Sequence, residues 1–468
     1  MKKRAMERKP APEKKIEKKK TPLWRHISEN IECLAIAIAM ALMLNIFFIQ
    51  AYKIPTGSMQ PTLIGNEEQG LYDRVLVNKC IYLFSKPERF DVIVFKFPLN
   101  QAKNYIKRLI GLPGEIIEIR NGDIFVDGHI ARKPENATRA VLKQIFPELG
   151  GGIPFNTYFK TEGDCRILEE DKVVFAGPGI AKTARPIRDG YLDGYDPDYK
   201  ISKPRHVKED QLVGDLRLAF EAELNAANGG IRVQIVEEGK EHVFILRGKD
   251  HAGPSRLSTG RRVSGGNDLK EVWSDPDLFL EAGKNYDLVF TNIDDRLSIR
   301  LDGQEIAVYE YEDSGSTGDT VRVEFGPIGC GATFDEITLY RDIYYLPGRS
   351  SKEPIQFEVP EDHYFAMGDN TQNSSDSRLW RSFYLTRKDG SEIKGNFDGS
   401  RESLPRKIGG GYVVVDHYGD ERFVPLSHLQ TDGYQTRFES FFHEKLLLGK
   451  AMVVFWPMVP HFRWNLLR

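Results

Sequence analysis

The sequence predicts a mainly β protein that follows a single N-terminal transmembrane helix. Only one apolar run is long enough to span a bilayer, and many short strands rich in Val, Ile and Phe follow it, separated by turn residues. At 468 residues, with 40% hydrophobic and 28% charged side chains, the chain has room for two or three packed domains. Its four cysteines are too few for a disulfide scaffold, although Cys165 and Cys330 leave one pairing open.

The first 50 residues predict a membrane anchor. Residues 1–20 contain ten Lys or Arg against three Glu, and the apolar run from Cys33 to Ile49 follows. We therefore expect a basic cytoplasmic tail at 1–30 and a transmembrane helix at 31–50, with the lipid bilayer as a partner. A cleaved signal peptide is the rival interpretation, but the run is too long and no small-x-small cleavage site follows it. The positive-inside rule predicts a single-pass protein of the plasma or inner membrane whose later residues are extracytoplasmic.

The net charge of −3 gives no reason to expect nucleic-acid binding, because membrane orientation already accounts for the basic tail. No cluster of His, Cys, Asp or Glu has a diagnostic metal-ligand spacing, so we expect no metal and no cofactor.

A stiff polar turn follows the anchor. Thr56-Gly57-Ser58 is bracketed by Pro55 and Pro61, which restrict the backbone on both sides. Such a turn can simply connect the anchor to the first strand, or it can present the Ser58 hydroxyl at a fixed angle.

Strands and hairpins come next. The runs 74–78 and 91–97 are short and apolar, and a third strand near Tyr105 places Lys107 among apolar neighbours. Alternating residues around Asp127-Gly128 predict a β-hairpin. A lysine in such a strand is normally solvated, and it can act as a base only if burial lowers its pKa.

Three separated segments together resemble the type I (leader) signal peptidases, the Ser/Lys peptidases that cut signal peptides from exported proteins. The segments are the Ser58 turn, the Lys107 strand with its Gly111-Leu112-Pro113-Gly114, and the loop from Gly368-Asp369-Asn370 through Ser374 to Arg378. The resemblance implies that Ser58 is the nucleophile and Lys107 the general base. It also implies that Ser374 orients the lysine amine, and that Thr56 donates its hydroxyl to the oxyanion.

The same resemblance implies roles for a wider set of residues. It implies supporting polar or ionic roles for Arg108, Asp369, Asp376 and Arg378. It also implies that shallow pockets accept small substrate side chains, which would favour an Ala-x-Ala signal. The residues that would line these pockets are Ile54, Pro55, Met59, Tyr105 and Ile106. Two positions depart from the family pattern: Thr56 stands where many relatives carry Ser, and Thr371 where many carry Arg. The β-branch of Thr56 restricts its χ1 angle.

The resemblance divides the chain into an interrupted domain and an insertion. We expect the catalytic domain at 51–134 and 358–468, with a smaller insertion at about 382–422, and an inserted domain at 135–357. From about residue 216 the inserted domain shows repeated short strands and an Asp302-Gly303 hairpin, which predict a β-sandwich. Its end, Phe334 to Tyr345, is similar to the last strand of concanavalin-like (laminin-G-like) folds. Asp294 and Asp295 could bind Ca²⁺, but a solvated turn is the favoured interpretation.

Two functions follow from these features. The first is a membrane-anchored serine endopeptidase that cleaves N-terminal signal peptides of exported preproteins. The second is a membrane-anchored ligand- or glycan-binding sandwich on a degenerate peptidase scaffold, which leaves a glycan or an unknown partner open for the inserted domain. Retention of Ser58, Lys107 and Ser374 favours the first, since a degenerate site has no reason to keep all three.

Overall fold

The computed structural model describes residues 23–66, 70–147, 154–169, 171–192, 206–207, 211–263, 266–312, 320–348, 356–397, 405–457 and 465–467. Residues 1–22 of the predicted basic tail lie outside this set. By internal contacts the chain divides into two compact units, residues 1–50 and residues 51–468.

The first unit contains one long helix. Helix α1 spans Leu23–Phe47, whereas the sequence predicts a transmembrane helix at 31–50. Among the described residues, no helix has both the length and the apolar character required to cross a membrane. The predicted transmembrane helix is therefore not confirmed.

The part before the insertion is a series of short strands with two short helices. The strands are β1 (Ile49–Lys53), β2 (Gly65–Asn66), β3 (Leu71–Tyr72), β4 (Arg74–Asn78), β5 (Val92–Phe97), β6 (Asn100–Gly111), β7 (Ile116–Arg120), β8 (Asp123–Val126) and β9 (His129–Ile130). The helices are α2 (Ile81–Phe84) and α3 (Glu135–Val141). The strands predicted at 74–78, at 91–97 and around Lys107 are therefore confirmed.

The inserted domain contains seventeen strands in the described ranges. They are β10 (Lys143–Phe146), β11 (Phe159–Glu162), β12 (Cys165–Ile167), β13 (Val173–Phe175), β14 (Ile180–Thr183), β15 (Tyr191–Leu192), β16 (His206–Val207), β17 (Leu216–Leu224), β18 (Gly230–Glu237), β19 (Lys240–Arg247), β20 (Ser255–Val263), β21 (Gly266–Asp275), β22 (Asn285–Ile293), β23 (Arg296–Leu301), β24 (Gln304–Glu310), β25 (Val321–Ile328) and β26 (Ala332–Arg341). A short helix, α4 (Phe155–Tyr158), precedes β11.

After the insertion the chain returns to short strands. They are β27 (Gln356–Glu358), β28 (His363–Met367), β29 (Arg381–Thr386), β30 (Glu392–Phe397), β31 (Arg406–Ile408), β32 (Gly411–Val415), β33 (Glu421–Pro425), β34 (Gln435–Phe438), β35 (Phe442–His443), β36 (Leu447–Trp456) and β37 (Asn465–Leu466). Two three-stranded sheets, β30-β29-β34 and β31-β32-β33, occupy 381–438. The smaller insertion predicted at about 382–422 falls within these sheets.

The interrupted domain is built on an eight-stranded sheet and a four-stranded sheet. The larger has the order β1-β4-β36-β5-β6-β28-β35, with β37 paired to β36, and the smaller has the order β27-β7-β8-β9. Both sheets combine strands from before and after the insertion. The predicted hairpin at Asp127-Gly128 joins β8 to β9, and positive φ angles of 52° and 86° at these residues suit a tight two-residue turn.

The inserted domain is a sandwich of two antiparallel sheets. One has the order β12-β13-β26-β17-β22-β23-β24, with β10 paired to β26, and the other has the order β11-β14-β25-β18-β19-β20-β21. Strands β10 to β14 belong to these sheets, so the sandwich begins well before residue 216, where the sequence predicts it. These early strands are only three or four residues long, and β10, β13 and β14 pair with strands far away in sequence. The predicted hairpin at Asp302-Gly303 joins β23 to β24.

The core of the sandwich includes the inward face of β17, whose residues alternate between core and outside. Its buried residues are Leu216, Leu218, Phe220, Ala222 and Leu224, and the residues between them are partly or fully exposed. Phe220 packs against Phe334 with ring centroids 5.1 Å apart. Alternate residues of a strand point to opposite faces, so this pattern leaves a second, outward face on the same sheet. Cys165 and Cys330 are both free thiols, and the pairing left open by the sequence is absent.

The insertion leaves and re-enters the interrupted domain at one place. Lys143 at the start of β10 pairs with Arg341 at the end of β26. Beside this pair, the buried ammonium of Lys133 forms ion pairs with Asp294 and, at 2.9 Å, with Asp342. The sequence predicts a solvated turn at Asp294, but its residue is only 3% exposed because its carboxylate holds Lys133. This ion-paired cluster joins the outgoing chain, the returning chain and the sandwich.

A pH dependence of stability is expected at this junction. Burial, reinforced by the neighbouring Asp123 and Asp294 carboxylates, raises the pKa of Asp215 well above its ordinary range. Such a group stabilises the fold most at low pH, and this contribution is lost as the pH rises through the raised pKa. The Asp215→Asn variant carries no charge, so it should gain stability over the wild type as the pH rises. Below about pH 4 the two should converge.

Thermal unfolding of both proteins across the pH range tests this expectation. The Asp277→Asn variant, at an exposed position of the same domain, serves as the control. A pH-independent difference for Asp215→Asn would contradict the prediction.

Candidate active site

The structure brings the Ser58 turn and the Lys107 strand together. Ser58 lies in a 3₁₀ turn, Gly57–Met59, and Lys107 lies in β6 opposite Ile93 of β5. The Lys107 Nζ donates a hydrogen bond of 2.6 Å to Ser58 Oγ. Both residues are buried, with 9% exposure for Ser58 and 4% for Lys107. A serine hydroxyl and an amine at this distance can exchange a proton.

The surroundings of Lys107 favour its neutral form. Burial and, to a smaller extent, the nearby Arg378 charge lower the pKa of Lys107 from its ordinary value to about 8. The carboxylates of Asp376 and Asp369 act in the opposite direction but do not cancel the effect of burial. A substantial fraction of this amine is therefore unprotonated under mildly alkaline conditions, and a base must be unprotonated to accept a proton.

The loop after β28 binds the Ser58 turn through one backbone and one side-chain hydrogen bond of Asn370. The Asn370 amide nitrogen donates to the Ser58 carbonyl at 3.2 Å, and its side-chain nitrogen donates to the Gly57 carbonyl at 3.0 Å. A Cβ on Gly368 would lie 2.3 Å from both the Ser58 carbonyl oxygen and Ser374 Oγ. This position therefore requires glycine, because any side chain would force the loop away from Ser58.

A buried ion pair supports the strand that carries Lys107. The Arg108 guanidinium binds Asp369 in bidentate geometry at 2.8 and 2.7 Å, and both side chains are at most 1% exposed. Arg108 also donates to the Phe90 carbonyl at 2.8 Å. The pair fixes the start of the 368–378 loop against β6, next to Lys107.

A second buried pair shapes the same loop. Arg378 binds Asp376 at 2.8 and 2.7 Å, and the Gly368 amide donates to Asp376 at 3.0 Å. Burial alone would raise the pKa of Asp376, but the Arg378 charge and these hydrogen bonds hold it below its ordinary value. Arg378 also donates to the carbonyls of Thr371 and Leu346, so the loop is tied to the chain returning from the insertion.

Two further residues of the predicted site lie close by, but without the predicted contacts. Thr56 Oγ1 lies 3.5 Å from Ser58 Oγ, at the limit of a hydrogen bond, and Thr56 is exposed. Ser374 is fully buried, and its hydroxyl makes no hydrogen bond within the described ranges. The structure thus places Ser374 beside Gly368, without a hydrogen bond to the Lys107 amine.

Comparison with known proteins identifies the family. The family model described as "Signal peptidase, peptidase S26" matches residues 27–171 and 298–393, together more than half of the chain. The chain belongs to the signal peptidase family, peptidase S26. The two matched segments leave 172–297 between them, within the inserted domain.

Individual relatives of this signal peptidase family member are similar over shorter stretches. "Probable signal peptidase I-1" of Synechocystis sp. is 43% identical over 112 residues, which cover 22% of this chain and 54% of the relative. "Signal peptidase I" of Bacillus amyloliquefaciens is 30% identical over 171 residues, 35% of this chain and 82% of the relative. The chain thus spans about half the length of the first relative. A solved structure of the VIP36 exoplasmic/lumenal domain aligns with 43% of this chain and 91% of its own length, at 9% identity and a TM-score of 0.30.

The five residues predicted to line substrate pockets divide into two groups in this signal peptidase family member. Pro55 is exposed, and Tyr105 and Ile106 are partly exposed. Ile54 and Met59, at 2% and 0% exposure, belong to a hydrophobic cluster with Val75 and Val94. Ile54 and Met59 can therefore form only the floor of a pocket whose surface comes from the other three residues.

Two residues of this site were missed in the sequence. Thr62 Oγ1 lies 2.5 Å from Asp369 Oδ2 and 3.1 Å from the Ala140 carbonyl oxygen, and it accepts from Arg108 at 3.2 Å. Asn370 makes the two contacts with the Ser58 turn described above. Both residues stand inside segments that the sequence marks, after Pro61 and after Asp369, but their contacts are non-local and no local pattern reveals them.

Proposed function

We propose that this protein is a membrane-anchored serine endopeptidase that removes N-terminal signal peptides from exported preproteins. In this proposal Ser58 is the nucleophile and Lys107 the general base. Residues 51–134 and 358–468 form the catalytic domain, and residues 135–357 form an inserted domain. The observation that carries the proposal is the 2.6 Å contact between Lys107 Nζ and Ser58 Oγ in a buried setting that lowers the lysine pKa.

The proposed reaction uses the chain's own groups and no cofactor. Neutral Lys107 accepts the proton of Ser58 Oγ as this oxygen attacks the carbonyl carbon of the scissile peptide bond. The oxyanion that forms accepts hydrogen bonds from the Ser58 amide and the Thr56 hydroxyl. The Lys107 ammonium then gives its proton to the leaving amine, which is the new N-terminus of the mature protein. Water, deprotonated by Lys107, hydrolyses the acyl-enzyme and releases the signal peptide.

The other predicted residues hold this arrangement in place. Arg108 with Asp369, and Arg378 with Asp376, fix the loop whose backbone contacts the Ser58 turn. Ser374 fills the space beside Gly368. Tyr105 stacks on Phe97 with ring centroids 4.3 Å apart, which fixes one wall of the substrate groove. A substrate that adds to this groove as an extended strand gains backbone hydrogen bonds, while shallow pockets select small side chains.

Membrane anchoring is part of the same proposal. Apolar side chains of α1 are largely exposed, as are those of the residues that follow it: Ile31, Leu34, Ile36, Ile38, Met40, Met43, Phe47, Phe48 and Ile49. An exposed apolar helix is stabilised by transfer into lipid. With the basic residues on its N-terminal side, the anchor would place the catalytic domain outside the cytoplasm of the cell membrane. The alternative of a pure binding protein is not favoured, since nothing in the geometry of Ser58 and Lys107 indicates a degenerate site.

Processing of a preprotein tests the proposal directly. The full-length protein in detergent, incubated with a preprotein that carries Ala at positions −1 and −3 of its signal, should release one mature product with a defined N-terminus. Replacing the Ala at −1 by Phe should lower kcat/KM by at least about tenfold, because a shallow pocket excludes bulk. The same replacement at position −2 provides the control. Intact preprotein after incubation with wild type, or equal rates for the −1 variant, would refute the proposal.

The pH dependence of cleavage is a further expected result. Since Lys107 must be neutral to accept the proton, kcat/KM should rise with pH and reach half its limiting value at a pH of about 8, the pKa to which burial lowers this lysine. Initial rates at low substrate concentration between about pH 6 and pH 10 give this profile. A rate that is flat across this range, or that falls as the pH rises from 6 to 8, would argue against Lys107 as the base.

A further inference from the structure

A cleft between helix α3 and the outward face of the sandwich has no part in the proposed reaction. It has a volume of about 380 Å³, and we call it the α3 cleft. Its floor is the outward face of the sandwich sheet, formed by alternate residues of β17, β22 and β23 whose neighbours in sequence point into the core. Its lining includes six cationic side chains and four acidic ones: Arg132, Lys133, Arg139, Arg217, Arg296 and Arg300, with Glu135, Asp294, Glu305 and Glu310.

The carboxylates of the α3 cleft are already engaged. Glu135 binds both Arg139 at 2.6 Å and Arg300 at 2.7 Å. Glu305 binds Arg296 at 3.2 Å, and Glu310 lies 3.5 Å from Arg132 and 3.7 Å from Arg296. Asp294 holds Lys133. The cleft therefore carries more positive than negative charge, with no acidic side chain left over on its walls.

Arg217 is the one cationic side chain in the lining of the α3 cleft that forms no ion pair with a described residue. Within the described part of the chain its side chain makes no hydrogen bond or ion pair, and its buried Nε has no acceptor. The guanidinium lies over the ring of Tyr340, with Cζ 5.9 Å from the ring centroid. Burial, together with the like charges of Arg139 and Arg300, lowers the pKa of Arg217, against the smaller opposing effects of Tyr340 and Glu135. A partly dehydrated guanidinium without a direct ion pair is stabilised when an anion binds it.

The residues beside Arg217 form a row of polar groups across four strands. Arg217 on β17 is the direct cross-strand partner of Tyr340 on β26 and of Thr291 on β22, and Thr291 in turn faces Ser298 on β23. The Thr291 and Ser298 hydroxyls lie 2.6 Å apart. Cross-strand partners project from the same face of a sheet, so these hydroxyls lie next to the guanidinium on the cleft floor. They can donate hydrogen bonds to the same bound group.

We propose that the α3 cleft binds a small organic oxyanion, a molecule that carries a phosphate, sulfate or carboxylate group, with Arg217 as the principal contact. Guanidinium groups bind such groups in bidentate, charge-assisted geometry. The volume of about 380 Å³ lies in the range of small-molecule sites and exceeds the need of a bare inorganic ion. The apolar side chains of Val289 and Ile293 on the floor suit an organic body attached to the anionic group.

Isothermal titration of the full-length protein in a non-ionic detergent tests this proposal. The probes are glucose 6-phosphate, glucose 6-sulfate and glucuronate, with glucose as the neutral control and NaCl to keep the ionic strength constant. At least one anionic probe should bind with a Kd of about 1 mM or tighter, whereas glucose should not. The Arg217→Met variant should bind that probe at least about tenfold more weakly, because it keeps the side-chain length but loses the charge. Arg166→Met removes an exposed arginine of the same domain and should bind like the wild type.

A second variant keeps the test decisive if Arg217→Met does not fold. Thr291→Glu places a carboxylate directly opposite Arg217 and supplies the missing partner within the chain. It should abolish probe binding and raise the unfolding temperature. The proposal is overturned if no anionic probe binds the wild type up to about 10 mM, or if glucose binds as well as the anions. Equal binding by wild type and whichever of the two variants folds would also overturn it.

Discussion

The Ser58→Ala and Lys107→Met variants are expected to lower kcat/KM for preprotein cleavage by on the order of 10⁴-fold. Ser58→Ala removes the attacking oxygen, and Lys107→Met removes the base while filling the same buried space with an apolar side chain. Because one group acts through the other, the double variant should be no slower than the slower single variant. Initial rates of product formation at low substrate concentration measure all three.

The Lys107→Arg variant tests whether the reaction requires a base at position 107 or only a positive charge. Arginine can donate a hydrogen bond to Ser58 but cannot release its proton, so this variant should be as inactive as Lys107→Met. Lys96→Met is the matched control, since Lys96 lies exposed on the adjacent strand β5. Circular dichroism and unfolding temperature confirm that each variant is folded. Cleavage by folded Lys107→Arg at more than about a hundredth of the wild-type rate would refute the role of Lys107 as base.

Breaking the buried Arg108–Asp369 pair should lower the free energy of unfolding far more than breaking an exposed ion pair. The Asp369→Ala variant leaves the Arg108 guanidinium buried without its counter-charge, and it also removes the carboxylate that contacts Thr62. Breaking a buried pair in this way costs about 3–5 kcal/mol. The loss should appear in urea denaturation followed by tryptophan fluorescence. Trp380 is fully buried beside Phe95 and Phe97 of β5, so it reports on the sheet that carries Lys107.

An exposed pair with the same geometry provides the control. Arg437 binds Glu392 through two hydrogen bonds of 2.9 and 2.5 Å, but both side chains are at least 36% exposed. The Glu392→Ala variant should therefore lose much less stability than Asp369→Ala, because solvent screens an exposed ion pair. Equal losses for Asp369→Ala and Glu392→Ala would show that burial does not decide the strength of the Arg108–Asp369 pair.

The features that the sequence predicts well are local. The Asp127-Gly128 and Asp302-Gly303 hairpins are recognisable in the sequence. A two-residue hairpin turn requires positive φ angles at both positions, and Asp-Gly is one of the few residue pairs that adopt them readily. The strand that carries Lys107 and the closing strand β36 have the length and apolar composition of ordinary strands. Ser58 and Lys107 emerge as a pair only because separated segments match a family pattern, and the structure then places their atoms 2.6 Å apart.

What the sequence does not predict depends on contacts between distant residues. Strands β10 to β14 join the sandwich through partners such as Thr333 and Arg341, more than 140 residues away in some cases, so their own composition gives little signal. Asp294 resembles a solvated turn residue until Lys133, from another part of the chain, lies against it. Ser374 Oγ makes no hydrogen bond within the described ranges, so its role in orienting the Lys107 amine stays a prediction.

Strand β36 determines when this protein can first assemble during its synthesis. It lies between β4 and β5, which are both made before the insertion, whereas its own residues, 447–456, are made only after the insertion. Ala451 and Val454 of β36 also pack in the same cluster as Met59, directly after Ser58. A nascent chain therefore holds the nucleophile and the lysine long before it holds the strand that completes their sheet. A chain that ends before β36 therefore contains both residues but lacks the strand that joins β4 to β5.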